Sequence, residues 1–287
     1  MRWGEGRRSD NVEDRRGAGS GVRLGGLSGG TIVAVFVVSL LLGKNPIEML
    51  GLVSQIAGGP EQQSEQGGPP PGDDKQADFM RAILGETEDV WGEVFRSAGR
   101  AYEAPRLVLF SGAVRSACGG ATSASGPFYC PGDRQVYLDL GFFEEMKARL
   151  GGGGDFAQAY VVAHEVGHHV QGLLGLTAKV DRARENGDDI QGANGLLVRQ
   201  ELQADCLAGV WGNRAESRHH WLDPGDIETA LHTATAIGDD RLQRESRGTV
   251  VPDSFTHGSS KQRVAWFTRG FSSGKLGDCD TFGAPSL

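Results

Sequence analysis

The chain has 287 residues, of which 45 are glycine and 38% are hydrophobic, and its formal net charge is -8. This length allows one large domain or two small ones, and the glycine content indicates that part of the chain is linker or irregular structure. The acidic surplus argues against a general nucleic-acid-binding protein, because such a protein needs surplus cationic side chains to neutralise phosphates. We therefore expect no nucleic-acid partner.

The first 75 residues are predicted to lie outside the folded domain. Residues 1–23 are polar, rich in arginine and glycine and without apolar periodicity, which predicts a disordered basic tail. Residues 24–43 carry no charged side chain, and a helix of this length rises about 30 Å, the thickness of the hydrocarbon layer of a membrane. Residues 44–75 contain runs of glycine, proline and glutamine that are typical of a linker.

The apolar run at residues 24–43 allows three interpretations: a membrane-spanning helix, a cleaved signal peptide or a buried core helix. A signal peptide needs a short apolar region and a cleavage site between small residues, whereas this run is long and residues 53–57 form a poor site. A core helix seldom adjoins an arginine-rich tail and a polar linker. Six arginines precede the run and only Lys44 follows closely, so the positive-inside rule places the N-terminus in the cytoplasm. We therefore predict a single-pass protein of the inner membrane whose domain at residues 76–287 faces the periplasm or the cell exterior.

Strands precede helices in the predicted domain. Short apolar runs rich in β-branched and aromatic residues predict strands at Leu107–Phe110 and Gln135–Leu140. Apolar residues at helical spacing predict helices at residues 76–98, 142–150, 156–174, 196–211, 224–234 and 261–271. Asp155 and Asp223 are expected to cap two of these helices. The order predicts an α+β domain with a small sheet and several helices.

The helix predicted at residues 156–174 contains the run His164-Glu165-Val166-Gly167-His168. Positions four apart face the same side of a helix, so both histidines can bind one zinc ion. Glu165 follows the first histidine and can reach a water at that metal, where a metallopeptidase needs its general base. A pattern that fixes only three of five residues also occurs by chance. A third metal ligand elsewhere in the chain is therefore needed to support a zinc site.

Glu201 and Asp205 supply the missing ligand and its support. A histidine six residues after His168 would indicate a metzincin, but Leu174 occupies that position. Glutamate-zincins instead take a glutamate from a following helix, usually with an aspartate four residues later. Glu201 is the predicted third ligand, and Asp205 can orient a ligand histidine by accepting its other ring N–H. The alternative is an exposed acidic helix face.

The remaining polar residues carry weaker signals. Zinc peptidases need a donor opposite the metal to stabilise the oxyanion, and His257 or Arg263 could serve; the alternative is structural hydrogen bonding in the loop that leads into the last helix. His169 is expected at the surface or in packing, and Tyr137 in the core. Two histidines in a polar loop, His219 and His220, are expected to be solvated.

Four cysteines occur in the chain, and all follow the apolar run. An even number outside the cytoplasm favours two disulfides, for which three pairings are possible. We expect Cys118–Cys130, which would hold a Gly/Ser-rich loop, and Cys206–Cys279, which would join the C-terminal residues to the helix of Glu201. A zinc site made of cysteines is disfavoured because no Cys-x-x-Cys spacing occurs.

The His164–His168 run, called the zinc box below, is one of six motifs in the chain. They lie at residues 116–119, 126–131, 136–139, 164–171, 201–206 and 256–259. Together they resemble the bacterial neutral zinc metallopeptidase family, a membrane-anchored branch of the glutamate-zincins, over most of residues 76–287. The resemblance implies a zincin-like domain, a zinc cofactor, a peptide or protein substrate and a substrate-binding edge strand, which Gln135–Leu140 matches. The run from Thr256 to Arg263 is also similar to a His-Pro…Arg element of membrane-linked zinc peptidases, with Gly258 in place of the proline.

The combined prediction is a membrane-anchored zinc endopeptidase. Zn²⁺ is held by the two histidines and Glu201, Glu165 acts as general base, and His257 stabilises the oxyanion. Two other functions remain open: a catalytically silent, zinc-stabilised binding or assembly protein on a peptidase scaffold, and a zinc amidase that acts on a cell-wall amide.

Overall fold

The computed structural model describes residues 1–16, 74–150 and 153–287. Eight α-helices among these residues pack with a small mixed sheet and a hairpin, which makes the domain α+β. In chain order the helices are α1 (Lys75–Ser97), α2 (Gly141–Leu150), α3 (Asp155–Leu174), α4 (Ala178–Asn186), α5 (Leu196–His219), α6 (Asp226–Ala236), α7 (Asp239–Arg247) and α8 (Ser260–Ser273).

The main sheet has four strands in the order β1-β2-β6-β5. Its central pair is parallel, β1 pairs with β2 in parallel, and β5 pairs with β6 in the antiparallel sense. A separate antiparallel hairpin consists of β3 and β4. The strands are β1 (Val12–Asp14), β2 (Arg106–Phe110), β3 (Ala113–Ser116), β4 (Gly119–Thr122), β5 (Phe128–Cys130) and β6 (Gln135–Asp139).

The position of β6 corrects the edge-strand prediction. β6 lies between β2 and β5, so its backbone groups are shared with two neighbours, and β5 is the edge strand on this side of the described sheet. The Gly/Ser/Ala-rich stretch before it, in which no strand was predicted, contains β3, β4 and β5. β3 and β4 carry few apolar side chains and β5 has only three residues, so none of them forms the longer apolar run that predicts a strand.

Both predicted disulfides are present, Cys118–Cys130 and Cys206–Cys279. The first joins the turn of the hairpin to the end of β5, and the second joins α5 to a short 3-10 helix near the C-terminus, Leu276–Cys279. On a chain-entropy estimate the two crosslinks are worth about 3 and about 4 kcal/mol. Disulfides of this kind are typical of an oxidising compartment.

α5 and α8 cross at two glycines. A Cβ on Gly270 would lie 1.9 Å from the carbonyl oxygen of Cys206, and a Cβ on Gly209 would lie 2.2 Å from the carbonyl oxygen of Phe267. Real Cβ atoms do not approach backbone this closely, so the absence of both side chains permits the crossing. The close approach places α8 against the segment of α5 that carries Asp205.

The first 16 residues belong to the folded domain, contrary to the predicted disordered tail. Arg8 donates to Asp78 of α1 with two nitrogens, at 2.9 and 2.6 Å, and the Trp3 indole Nε1–H donates to Asp155 at 3.0 Å. Asp155 was expected to cap α3, but it is the first residue of this helix and accepts the hydrogen bond from Trp3. The N-cap is Gly154. These contacts depend on charge complementarity with distant residues, which a search for apolar periodicity does not detect.

The predicted membrane topology is corrected. Among the residues that the structure describes, no helix has the length and apolar character needed to cross a membrane. Residues 24–43 and most of the predicted linker lie outside the described residues. β1 pairs with β2, whereas one crossing between them would place two hydrogen-bonded strands on opposite sides of the bilayer. A single-pass protein with a cytoplasmic N-terminus and an outward-facing domain is therefore not supported, and neither is the membrane as a partner through such a span.

Two smaller differences concern helix limits. α6 begins at Asp226, after Gly225 as N-cap, so Asp223 does not cap it. α5 continues to His219, two turns beyond the predicted end, because its last turns pack against α1 through polar contacts that carry no apolar signal. Arg218 contacts Glu86 at 3.1 Å and Glu93 at 2.7 Å.

Candidate metal centre

His164, His168 and Glu201 lie together in one cluster. The Nε2 atom of His164 lies 3.2 Å from Nε2 of His168 and 3.2 Å from Oε2 of Glu201, and the remaining pair is separated by 3.5 Å. Tetrahedral zinc with nitrogen and oxygen ligands at its usual bond lengths separates them by about 3.3 to 3.6 Å. The spacing and the donor types therefore fit a zinc ion.

The approach of α3 to α5 brings the three side chains together. Gly167 lies between the two histidines, and a Cβ at this position would lie 3.1 Å from the carbonyl oxygen and 3.2 Å from the Cα of Ala204. A larger residue would press against the backbone of α5. The glycine inside the zinc-box run therefore lets the helix that carries Glu201 pack close to the helix that carries both histidines.

Asp205 is the centre of a buried network behind His164. Its carboxylate lies 2.9 Å from His164 Nδ1 and accepts the Tyr160 hydroxyl at 2.5 Å and two Arg263 nitrogens at 2.9 Å. A carboxylate next to Nδ1 favours the proton on that nitrogen, which leaves Nε2 of His164 bare towards Glu201. Burial alone would raise the pKa of Asp205, but Arg263 and His164 outweigh it and lower this pKa to about 2.

This network separates the two candidates for the oxyanion donor. Both residues line the cleft, but Arg263 is buried and bound to Asp205, so its guanidinium supports the candidate ligand His164 through that carboxylate. His257 instead has a side chain that is 55% exposed and lines the cleft in front of the cluster. Tyr160, which sequence reasoning missed, is fully buried; its position one turn before His164 is the signal that could have found it.

Glu165 lies in the same cleft, which has a volume of about 630 Å³ and is also lined by both histidines and Glu201. Its carboxylate faces the backbone N–H of Tyr129, a residue of the edge strand β5. Burial raises the pKa of Glu165, although the neighbouring His164 and His168 oppose this shift. The arrangement places a proton-accepting group between the metal-ligand cluster and the sheet edge.

The loop of His257 is anchored by Asp239, a residue that sequence reasoning missed. Oδ2 of Asp239 accepts the backbone N–H groups of Thr256, His257 and Gly258 at 2.7, 2.7 and 3.0 Å. Gly258 has a φ of 93°, which glycine adopts without strain and which this turn requires. The other carboxylate oxygen of Asp239, Oδ1, lies 3.4 Å from His257 Nδ1. Asp239 therefore anchors the loop and contacts the ring of His257, whose Nδ1 also lies 2.9 Å from Thr256 Oγ1.

Other histidines have structural contacts. His169 is buried, with Nδ1 3.1 Å from the Tyr129 hydroxyl and Nε2 2.6 Å from the Glu103 carbonyl. His219, expected in solvent, contacts buried Glu86 at 2.8 Å, because the longer α5 carries it to α1. Tyr137 is packed in the core, as expected, and its hydroxyl donates to Asp133.

The sequence as a whole matches a family model described as "Putative neutral zinc metallopeptidase" over residues 1–282. The chain belongs to this family. It is 49% identical over 289 aligned residues to the uncharacterized protein YpfJ of Escherichia coli (strain K12), with 99% of each chain covered. It is 47% identical over 196 residues to the uncharacterized protein Rv2575 of Mycobacterium tuberculosis (strain ATCC 25618 / H37Rv), with 65% of each chain covered. No solved structure matches the chain.

Membership of this family suggests a hydrolase that uses a metal, and zinc in particular. The cluster of His164, His168 and Glu201 provides a group that could hold such an ion. The family match begins at residue 1, and the N-terminal residues also pack on the domain. The region that matches the family therefore includes residues 1–23, which were predicted to be a disordered tail.

Proposed function

We propose that this protein is a zinc-dependent endopeptidase whose metal ligands are His164, His168 and Glu201. The observation that carries the proposal is the position of Glu165, which shares one cleft with all three proposed ligands and faces the backbone N–H of Tyr129 on the edge strand. A zinc-stabilised structural site has no chemical use for a buried carboxylate at that place. A peptidase needs one to move protons.

The proposed roles follow from the chemistry of each group. A zinc ion, when bound, supplies a Lewis acid that polarises a carbonyl and makes water a better nucleophile at neutral pH. Glu165 takes a proton from the attacking water and later donates it to the leaving amine. Its raised pKa suits this exchange, because a base with a pKa closer to neutrality can both accept and return the proton. Asp205, held by Arg263, keeps His164 in orientation.

The cleft favours an extended peptide as substrate. β5 has a paired neighbour on one side only in the described sheet, and an extended chain can add to such an edge through its backbone. The cleft is also lined by the apolar side chains of Phe128, Phe142, Val161 and Ile237. We therefore propose that the enzyme accepts peptides with an aliphatic or aromatic side chain near the cleaved bond.

His257 is the proposed donor to the oxyanion of the tetrahedral intermediate. It lines the cleft, and Asp239 favours its protonated form: the pKa of His257 is raised mainly by the hydrogen bond to Asp239, against the effect of burial. A cationic ring donates more strongly to a developing negative charge than a neutral ring. This assignment is separate from metal binding and can fail without it.

The test compares the wild-type chain with Glu165→Gln in cleavage of an unfolded protein and of quenched fluorescent peptides. We expect Glu165→Gln to bind zinc as the wild type does and to lose turnover, whereas Glu185→Gln, which alters an exposed carboxylate of α4, should cleave normally. Chelation should remove the wild-type activity and added zinc should restore it. Cleavage by Glu165→Gln at the wild-type rate would disprove the mechanism. A wild type that binds zinc but cleaves no peptide would favour a binding protein, or an amidase if it released a cell-wall amide.

A further inference from the structure

A chain of buried hydrogen bonds connects His168 to the C-terminal disulfide. His168 Nδ1 lies 2.9 Å from Oε1 of Gln171, and Nε2 of Gln171 donates to Oε1 of Gln203 at 3.0 Å. Nε2 of Gln203 donates to the backbone carbonyl of Cys279 at 2.9 Å, and Cys279 is bonded to Cys206. Gln171 is fully buried and Gln203 is 3% exposed. The chain therefore runs through the protein interior from α3, across α5, to the C-terminal residues.

Two backbone carbonyls set the direction of every bond in this chain. A carbonyl oxygen can only accept, so Gln203 must point its NH₂ group at Cys279 and its oxygen at Gln171. Gln171 also donates to the carbonyl of Gln200 at 2.7 Å. Its NH₂ group is thus directed at two acceptors, and rotation of either amide by half a turn would place oxygen against oxygen in a buried site. Gln171 can offer His168 only an acceptor.

The consequence falls on the tautomer of His168. A ring nitrogen opposite an oxygen acceptor must carry the proton, so a neutral His168 is protonated at Nδ1 and bare at Nε2. Nε2 is the atom that faces His164 and Glu201. Two bare ring nitrogens and a carboxylate oxygen at 3.2 to 3.5 Å repel one another unless a cation lies between them.

We propose that Gln171 and Gln203 are positioning residues that hold His168 as the Nδ1–H tautomer and so direct its Nε2 towards the metal. The proposal rests on the metal site described under the proposed function and adds to it the residues that prepare His168. Asp205 serves His164, and the two glutamines serve His168 through neutral amides. The Cys206–Cys279 disulfide holds the carbonyl on which the direction of the chain depends.

Zinc affinity of the full chain, measured by competition with a chromophoric chelator, provides the first test. Loss of a residue that orients a metal ligand costs about 10- to 100-fold in affinity, and we expect losses in this range for Gln171→Leu and Gln203→Leu. Thr281→Val is the matched control, because the buried Thr281 hydroxyl also joins the C-terminal residues to α5, through the Arg199 carbonyl, without contact with His168. It should bind zinc as the wild type does. Wild-type affinity in both leucine variants would overturn the proposal.

The tautomer itself provides a second test that needs no variant. In the metal-free wild-type chain labelled with ¹⁵N-histidine, at a pH where the ring is neutral, we expect the His168 proton on Nδ1. A proton on Nε2 would overturn the proposal even if the enzyme cleaves peptides. A wild type that binds no zinc would disprove the proposed function, while the metal-free spectrum would still decide the tautomer. If Gln171→Leu does not fold, Gln203→Leu and this spectrum carry the test.

Discussion

Arg263 binds Asp205 through two parallel hydrogen bonds, Nε to Oδ2 and Nη2 to Oδ1, both at 2.9 Å. Both side chains are buried, and the same carboxylate contacts Nδ1 of His164. The pair therefore connects α8 to a metal-ligand candidate on α3. Arg263 also lines the cleft, but its guanidinium is engaged by Asp205.

Replacing Arg263 with leucine should destabilise the domain strongly. Removal of one partner from a buried ion pair costs about 3 to 5 kcal/mol, because the remaining charge has no compensation. We expect a loss of this size in the free energy of unfolding of the metal-free chain, measured by urea denaturation. Lys261→Leu, an exposed cation on the same helix, is the control and should change it little. Equal stability of the two variants would contradict the role assigned to Arg263.

Acid should weaken the fold through Asp205. The folded-state pKa of Asp205 is about 2, below the value of about 3.9 for an unfolded aspartate. Because folding favours the ionised form, this contribution is fully present above about pH 4 and is lost as the pH falls through about 2. Urea titrations of the metal-free chain across this range should show a smaller pH dependence for Asp205→Asn than for the wild type. Identical slopes would argue against the contribution.

Asp239 and His257 should behave as one unit in catalysis. Since Asp239 anchors the loop and ring of His257, Asp239→Ala should lower kcat/KM for peptides almost as much as His257→Ala. The double variant should lose little more than either single variant, because coupled residues are not additive. Removal of one oxyanion donor typically lowers kcat by about 100- to 1000-fold, which sets the expected scale. Additive losses would show that Asp239 acts independently of His257.

Gly85 reports on the packing of the N-terminal residues. A Cβ at this position in α1 would lie 2.5 Å from the carbonyl oxygen of Arg7, so Gly85→Ala should displace that segment and lower the free energy of unfolding. Gly92→Ala, in the same helix, meets only the end of the Arg96 side chain at 3.8 Å. That control should gain stability by about 1 kcal/mol from helix propensity. If both variants were stabilised, residues 1–16 would not pack as described.

The correct predictions depend on local geometry. His164 and His168, like Glu201 and Asp205, are four residues apart in apolar-periodic stretches, and helix geometry alone puts each pair on one face. Of the three possible pairings of the four cysteines, the expected one is present. The failures concern the N-terminal residues and the edge strand. The N-terminal residues are held by ion pairs and by the pairing of β1 with β2, and the edge position of β5 results from its pairing with β6. Neither kind of contact produces a periodic pattern in the sequence.

The amino-acid sequence by itself determined the two helices of the candidate centre and the family to which the chain belongs. It also predicted the three metal ligands. The spacing also predicted Asp205 as a support for a ligand histidine, but only the tertiary structure decided the other supporting groups, Arg263, Gln171 and Gln203. The Arg263–Asp205 contact spans 58 residues and the Gln203–Cys279 contact spans 76. Such contacts depend on how α3, α5 and α8 cross, and close crossings at glycines such as Gly167 and Gly270 set that arrangement. Helical periodicity describes one helix at a time, so it could not have predicted them.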